Sequence, residues 1–407
     1  MRYDVVIVGA GIAGLYTALQ LLKDTPTKRI IILEKYNYLG GRIVTHRGKY
    51  QWEIGAGRIA MDHAMIVGLL KDYGLHIVPI GSESGSLFLE NGPKPNEFTE
   101  LLSTYMLPLQ SLPSSVLQAT TLGALLERVH GASKAKEFYR QFPYWGEVHT
   151  LRADLALQSF QKEFDGTMHF CVCREGLSTL VARLVKDIEA RGCIIRVNKE
   201  VVRIHERKDS VLLDIKGQEP VEGDLCVLAL HSEALRQIPF ARKHMPALQH
   251  LAMEPLVRMY AVFPVKKGQS WFSNLPKMVT NDIVRYIIPI NPATGVVMIS
   301  YTDGDEARFW IDYQKKKGDR ATQTAVMAHI RKLLPDIDIP EPYTFKIHPW
   351  TNGCTYWTPG SYDVKEMSRK AHQLTDRVYA CGESISMKQC WLEGALESSV
   401  TVFEMLK

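Results

Sequence analysis

Three closely spaced glycines directly after an apolar β-strand constrain the fold of this chain more than any other feature. Tyr3–Val8 reads as a strand, and Gly9, Gly11 and Gly14 follow it. In this pattern the first glycine makes a tight turn, the second lets the backbone approach a pyrophosphate, and the third lets a helix pack on the strand. The N-terminus of that helix would face the phosphates with its positive end. The start of the chain therefore predicts a dinucleotide site.

Further segments at both ends of the chain strengthen this prediction. Glu34 follows a second apolar run, Ile30–Leu33, and is placed to accept hydrogen bonds from a ribose. Gly40-Gly41-Arg42 comes next. Far downstream stand Cys381-Gly382-Glu383 and Trp391-Leu392-Glu393-Gly394-Ala395-Leu396. The coincidence of separate motifs argues against a glycine-rich turn without a ligand.

Together these segments resemble the flavin-containing amine oxidases, a family that includes monoamine, polyamine and L-amino-acid oxidases. The resemblance covers nearly the whole chain, with its best-defined motifs at residues 5–58 and 350–400. It implies that the N-terminal glycines, Gly41 and Arg42 hold the ADP half of FAD, with the backbone of Val201 or Val202 against the adenine. It also implies that Gly382, Glu383 and Leu392 hold the pyrophosphate, ribityl chain and flavin ring. In an NAD enzyme the end of the chain does not need to come back to the cofactor. These C-terminal segments therefore favour FAD.

The fold class that follows is α/β: a two-dinucleotide-binding Rossmann-like FAD domain with an inserted α+β substrate domain. A chain of 407 residues exceeds what one core usually organises. We assign residues 1–76, 171–231 and 350–407 to the FAD domain, and residues 77–170 and 232–349 to the substrate domain.

Hydrophobic periodicity predicts the elements of the later segments. The resumed FAD domain is expected to contain a helix over Ser178–Arg191 and strands at Ile194–Val197, Val201–Ile204, Val211–Ile215 and Leu225–Leu230. The second insertion is expected to contain strands at Leu256–Phe263, Ile283–Ile290 and Val296–Tyr301 and a helix over Thr322–Leu334. Its sheet would form the floor of a substrate cavity.

Composition excludes several other classes of protein. No apolar run approaches the roughly 20 residues that span a bilayer. The net charge of +5 is small, and the sequence shows no cluster of basic residues of the kind that binds nucleic acid. The seven cysteines lack paired spacing and fit a reducing compartment, so we expect a cytoplasmic protein without bound metal. A homodimer is compatible with the sequence.

Two aromatic positions are expected to enclose the substrate amine. By the resemblance, Trp391 stands where family members place an aromatic ring beside the flavin. The opposing wall should come from Tyr356 or Trp357, unless these rings only fill the core. Aromatic faces orient an amine and bind its cationic form through their quadrupoles.

Arg58 is the candidate for binding a substrate carboxylate. The segment from Trp52 to Ile59 is similar to one in L-amino-acid oxidases where an arginine clamps that group. A guanidinium offers a carboxylate two parallel donors. The alternatives are that Arg58 contacts the flavin or pairs with a buried acid.

Two further positions depart from the family pattern. Family members commonly place a lysine that hydrogen-bonds through water to flavin N5 where this chain has Arg258, which stays protonated and cannot act as a base. The alternative for Arg258 is that it is simply a solvated strand residue.

Cys354 stands near the sequence position of the cysteine that links FAD covalently in monoamine oxidases, but the spacing to the following Pro-Gly turn is shorter here. Noncovalent FAD is therefore favoured, with a Cys354 link as the minority alternative.

These observations favour FAD-dependent oxidation of an amine, with an L-amino acid as one candidate. Hydride transfer to flavin N5 would give an imine, and O2 would be reduced to H2O2. One alternative is a carotenoid-type desaturase or isomerase, which shares the N-terminal motifs. Another is a flavin-binding protein that has lost catalysis and serves a structural role.

Overall fold

The computed structural model describes residues 2–81, 84–89, 92–95, 98–160 and 169–407. Outside these ranges lie Met1 and residues 82–83, 90–91, 96–97 and 161–168. All of these except Met1 fall in the predicted substrate domain.

A seven-stranded sheet forms the core of the part of the fold that carries the glycine turn. Its strands run in the order Ile194–Arg196, Ile30–Leu33, Arg2–Val8, Val221–Leu228, Val211–Ile215 and Val201–Glu206, and Val378–Ala380 also pairs with Val221–Leu228. The central pairings are parallel, whereas the pairings of Val211–Ile215 are antiparallel. The glycine turn thus leaves the sheet at its centre.

The two chain ends meet on one face of this sheet. Every residue of Ile30–Leu33 is buried, and a strand of that kind needs cover on both faces. The first helix, Ile12–Asp24, packs against Leu177–Ala190 and against the last helix, Leu392–Met405. The Ser399 hydroxyl donates to the Ala13 carbonyl at 3.1 Å, which ties the last helix to the first.

A second seven-stranded sheet forms the core of the other part of the fold. Its strands run in the order Thr344–Trp357, Leu251–Val262, Val296–Asp303, Tyr286–Asn291, Lys277–Thr280, Ser84–Phe88 and Gly92–Pro95. One face packs on a long helix, Gly304–Leu333, around a core that includes Trp310 and Val257. Gly318 interrupts that helix with a φ of 82°.

Shorter elements connect the two sheets. Two small sheets pair Thr45–His46 with Trp52–Glu53, and Phe170–Cys173 with both Ile59–Ala60 and Ile77–Ile80. The other α-helices are Ala64–Asp72, Phe98–Met106, Ser114–Gln118, Leu122–His130, Ala132–Gln141, Trp145–His149, Ala153–Ser159, Ser232–Gln237, Pro239–His244 and Val364–Ala371. The 3-10 helices are Leu107–Ser111, Pro246–His250, Pro292–Thr294 and Glu383–Ile385.

Most predicted elements are confirmed, with shifts at their ends. Ile30–Leu33 and Val211–Ile215 have the predicted bounds, and the Ser178–Arg191 prediction corresponds to Leu177–Ala190. The helix predicted over Thr322–Leu334 is only the second half of Gly304–Leu333, because Gly318 and a run of lysines obscure the period of the first half.

The region from Ile77 to Phe170, which we assigned to the substrate domain, contributes strands both to a small sheet and to the second seven-stranded sheet. Gly92–Pro95 lies at the edge of its sheet, where prolines are tolerated. The strand Thr344–Trp357 runs through the domain boundary set between residues 349 and 350. The domain boundaries themselves stay predictions.

None of the helices in the described ranges has both the length and the apolar content that a bilayer span requires.

Candidate active site

A cavity of about 740 Å³ lies between the two sheets and is lined by both ends of the chain. The glycine turn and Glu34 line it on one side, and Gly382 and Trp391 line it from the C-terminal segment. Its volume falls in the range of small-molecule and cofactor sites, roughly 300–1,000 Å³. The segments that the sequence linked to one ligand thus border a common space.

The three glycines of the turn have different neighbours. Gly9 has a φ of +103°, and a Cβ there would lie 2.5 Å from the Ala229 carbonyl oxygen. A Cβ on Gly14 would lie 2.1 Å from the Gly9 carbonyl oxygen, so the helix packs as closely as backbone allows. A Cβ on Gly11 would meet nothing within 4 Å. Only Gly11 therefore keeps space open, and it lines the cavity.

Glu34 is held rigidly at the cavity wall. Its Oε2 accepts the Ala10 N–H at 2.8 Å and its Oε1 accepts the Tyr36 N–H at 2.9 Å. The side chain is buried, and Val201 lines the same cavity. This placement suits a carboxylate that accepts hydrogen bonds from a ribose, as expected from the sequence.

Arg42 joins the two chain ends through an ion pair. Its Nη2 donates to Glu383 Oε1 at 2.6 Å, and its Nη1 donates to the Gly353 carbonyl at 2.8 Å. Gly41, with a φ of +59°, brings the arginine into the cavity wall next to Gly11. Arg42 thus has protein partners, which the sequence did not reveal.

Glu383 is the centre of a buried polar network. Besides Arg42, it accepts hydrogen bonds from the Thr355 hydroxyl at 3.0 Å, the Ser384 hydroxyl at 3.1 Å and the Cys390 N–H at 2.9 Å. Burial by itself would raise the pKa of Glu383, but Arg42 and these donors outweigh burial and the pKa lies below its ordinary value. The carboxylate therefore stays charged.

The last helix presents its N-terminus to the cavity. Trp391 is the N-cap residue of Leu392–Met405, and Trp391 and Leu392 both line the cavity. Gly382 has a φ of +137°, and its N–H donates to the Ser398 hydroxyl of that helix at 2.9 Å. The positive end of a helix suits an anionic or electron-rich ligand.

Arg58 lies among aromatic rings in the cavity wall. Its guanidinium carbon is 4.2 Å from the centre of the Phe170 ring and 5.8 Å from that of the Trp391 ring. Nη2 donates to the Tyr144 hydroxyl at 3.2 Å. Across the described ranges no carboxylate forms an ion pair with this guanidinium. Pairing with a buried acid was one expected alternative, and these ranges contain no such pair.

Tyr356 and Trp357 lie on opposite sides of their strand, as successive strand residues do. Tyr356 lines the cavity, packs over Gly146 and donates to Glu147 Oε2 at 3.2 Å. Trp357 is 1% exposed, and its indole N–H donates to the Ser386 carbonyl at 3.0 Å. Trp357 is therefore a core residue, and its assignment as a wall of the cage is corrected.

Arg258 also faces the cavity, so it is not a solvated strand residue. Nη1 donates to the Glu53 carbonyl at 3.3 Å, and the guanidinium lies 5.3 Å from the centre of the Tyr301 ring. Its Nε is buried and has no hydrogen-bond partner among the described protein atoms. Arg258 therefore places a fixed positive charge at the cavity wall, and its Nε–H remains available to donate a hydrogen bond.

Several cavity residues were missed by the sequence analysis. Tyr144, Glu147, Tyr301 and Asp303 all line the cavity. Asp303 accepts the Trp145 and Gly146 N–H groups at 3.0 and 2.9 Å, and burial raises its pKa to about 6. The alternation Tyr301-x-Asp303 at the end of a predicted strand was the one available signal.

Metal ligands do not converge in the described part of the chain, where no three His, Cys, Asp or Glu side chains form a candidate centre. Cys171 and Cys173, which stand two residues apart, are buried free thiols.

The chain is similar to known proteins in both sequence and structure. Residues 12–402 match the family model of the flavin-containing amine oxidoreductases. A Bacillus subtilis (strain 168) protein, provisionally named L-amino-acid oxidase YobN, is 21% identical over 460 residues, which cover 98% of this chain and 93% of that protein. The flavin-dependent L-tryptophan oxidase RebO of Lentzea aerocolonigenes is 23% identical over 478 residues, covering 99% and 98%. A putrescine oxidase structure with bound putrescine gives a TM-score of 0.78 at 15% identity, covering 100% of this chain and 99% of that one.

The first prediction concerns the open space at Gly11. Gly11→Val should sharply lower the FAD bound per chain without changing the far-UV circular dichroism, because its side chain fills space that a pyrophosphate needs. FAD content is measured as the flavin released on heating. Gly68→Val is the control, since Gly68 is equally unobstructed but lies away from the cavity. Equal, full FAD content in both variants would refute the assigned role.

The second prediction concerns the Arg42–Glu383 pair. Glu383→Gln should lower the unfolding free energy near neutral pH by about 3 kcal/mol, because Arg42 loses its buried partner. Pairing holds the folded-state pKa of Glu383 below its ordinary value of 4.5. The wild-type advantage should therefore be complete above about pH 4.5 and shrink as the pH falls through the folded-state pKa.

Urea unfolding at matched FAD content, repeated across this pH range, measures that difference. Glu397→Gln removes the exposed pair with Lys388 and should cost no more than about 1 kcal/mol. A difference between wild type and Glu383→Gln that did not change with pH would contradict the assignment.

Proposed function

Because this chain belongs to the flavin-containing amine oxidoreductase family, we propose that it oxidises the amine of an L-amino acid to an imine, with O2 reduced to H2O2. The observation that carries the substrate class is Arg58. It is a guanidinium in the cavity wall, 5.8 Å from the Trp391 ring, without a carboxylate partner in the described ranges. A substrate carboxylate would supply that partner.

The cavity residues fit FAD. Gly11 leaves room for a pyrophosphate, Glu34 offers a rigid acceptor for a ribose, and the N-terminus of the last helix lines the same cavity. When bound, FAD supplies the acceptor for the substrate hydride and passes the electrons to oxygen. We infer that it is held noncovalently, so the flavin released on heating should account for all the bound FAD.

The amine would be held between Trp391 and Tyr356, the two aromatic residues of the predicted cage that line the cavity. Glu147, which accepts the Tyr356 hydroxyl, and Asp303 add negative charge on the same side. An ammonium approaching the cavity is favoured by those carboxylates and by the ring faces. Arg58 and these groups would together orient the amine and the carboxylate of one substrate.

Arg258 would serve the oxygen half-reaction. Its fixed charge and free Nε donor favour water or a reduced oxygen species beside the cavity. Arginine does not titrate in the way that lysine does, so we expect slower use of O2 than in relatives with lysine. The unlinked cysteines suit a reducing compartment, and we propose a cytoplasmic location.

The third prediction separates amino acids from simple amines. Arg58→Ala should lower kcat/KM for an L-amino acid by about 30- to 1,000-fold, corresponding to about 2–4 kcal/mol for one partner of a buried charge pair. Oxidation of the matching decarboxylated amine should change much less. Arg58→Lys should restore only part of the loss, because an ammonium cannot reproduce the two parallel donors.

Steady-state kinetics at equal FAD content measures both substrates. Tyr144→Phe provides a milder companion variant, since it removes only the hydroxyl that Arg58 contacts at 3.2 Å. Equal losses for both substrates at full FAD content would refute carboxylate binding and assign Arg58 to the flavin or to the fold.

A further inference from the structure

Two of the seven cysteines differ from the others in their surroundings. Cys171, Cys173, Cys193, Cys226 and Cys381 are buried in the core. Cys354 and Cys390 are partly exposed, and both line the active-site cavity. All seven are free thiols in this structure. Small molecules that enter the cavity would therefore reach these two sulfurs selectively.

The two cysteines belong to segments that lie side by side. The turn before the last helix follows strand Thr344–Trp357, because Gln389 Oε1 accepts the Trp357 N–H at 2.7 Å. Cys390 Sγ lies 3.4 Å from the Thr355 carbonyl, the residue after Cys354. Burial raises the pKa of the Cys390 thiol well above its usual value, and the neighbouring Cys354 thiol raises it further.

The backbone at Cys390 is strained in a way that holds the thiol in place. Its φ is +66°, in the left-handed region that non-glycine residues rarely adopt. The N–H of Cys390 is fixed by Glu383 Oε2 at 2.9 Å. Strain of this kind persists only where surrounding contacts impose it, and it concentrates at functional sites.

We propose that Cys354 and Cys390 form a redox-sensitive dithiol that closes to a disulfide when a hydroperoxide enters the cavity, and that closure slows the enzyme. The physiological oxidant would be the H2O2 of the proposed reaction, so this part rests on the proposed function. The same chemistry can be driven by added H2O2, which makes the site testable independently.

The reaction balances in two steps. The Cys354 sulfur attacks one peroxide oxygen, the O–O bond breaks, and a sulfenic acid and one water form. The Cys390 sulfur then attacks that sulfenic sulfur, the S–O bond breaks, and the hydroxyl leaves with the Cys390 proton as a second water. The two thiols together lose two electrons, which the peroxide gains. The raised pKa of Cys390 keeps its thiol protonated at rest, so the proton must leave the sulfur as it attacks, and this second step is the slower of the two.

The disulfide would act on the two aromatic walls of the cavity. Cys354 stands two residues before Tyr356 on the same face of its strand, and Cys390 directly precedes Trp391. A covalent link between them would set the spacing of those rings. Misplacement of substrate by about 1 Å can cost about 100-fold in rate, so the cross-link should slow flavin reduction by about tenfold or more.

The test treats the FAD-loaded protein with a few equivalents of H2O2, blocks the remaining thiols with N-ethylmaleimide and maps unreduced peptides by mass spectrometry. We expect two of the seven thiols to be lost, a single cross-link between Cys354 and Cys390, and full reversal by dithiothreitol. Cys390→Ser should prevent the cross-link and leave a sulfenic acid on Cys354 that dimedone traps. Cys173→Ser, a buried position outside the cavity, should still form the cross-link.

Retention of all seven thiols, or oxidation of either cysteine without a cross-link in the wild type, would overturn the proposal. A cross-link that left the rate of flavin reduction by the amine unchanged would overturn its regulatory part. The peptide map needs no turnover. If no amine reduced the flavin, the proposed function would fail while the map still decided whether the dithiol closes.

Discussion

The ion pair between Arg42 and Glu383 is the interaction on which the cavity depends. It joins residues that lie 341 positions apart, and it places the glycine turn against the C-terminal segment. Glu383 also accepts hydrogen bonds from the Thr355 hydroxyl and the Cys390 N–H, so one carboxylate connects the second sheet, the turn before the last helix and the start of the chain. Either charge alone would be costly to bury. The pair therefore couples folding of the last segment to formation of the site.

The glycine turn at one end of the cavity could be predicted from the sequence because its backbone requirements are local. A turn with a φ of +103° at Gly9 and a backbone contact at Gly14 allow only glycine, and such constraints leave a readable pattern. The buried parallel strands likewise show as continuous apolar runs, such as Ile30–Leu33. Arg42 and Glu383 were both predicted to be cofactor residues, but their ion pair and the hydrogen bond from Arg42 to Gly353 were not predicted, because pairing across the chain has no local signature.

The end of the cavity that we propose for the substrate could be predicted only in part, because it is assembled from strands and loops that are distant in sequence. Alternation along a strand decides which side chain faces the cavity, and a shift of one residue exchanges Tyr356 for Trp357. Tyr144 and Glu147 come from the helical insertion, which carries no motif, although they border the cavity beside Arg58 and Tyr356. The substrate contacts that we propose thus come from segments where the sequence signal is weakest.

The central claim is that this cavity holds FAD beside a site for an amine that carries a carboxylate. The most direct measurement is anaerobic mixing of the FAD-loaded wild-type protein with a panel of L-amino acids and their decarboxylated amines, followed by flavin absorbance. The account predicts that the flavin is bleached, and that at least one amino acid bleaches it faster than its matching amine does. Oxidised flavin that persists with every amine and amino acid, at full FAD occupancy, would contradict the account and favour a binding protein without catalysis.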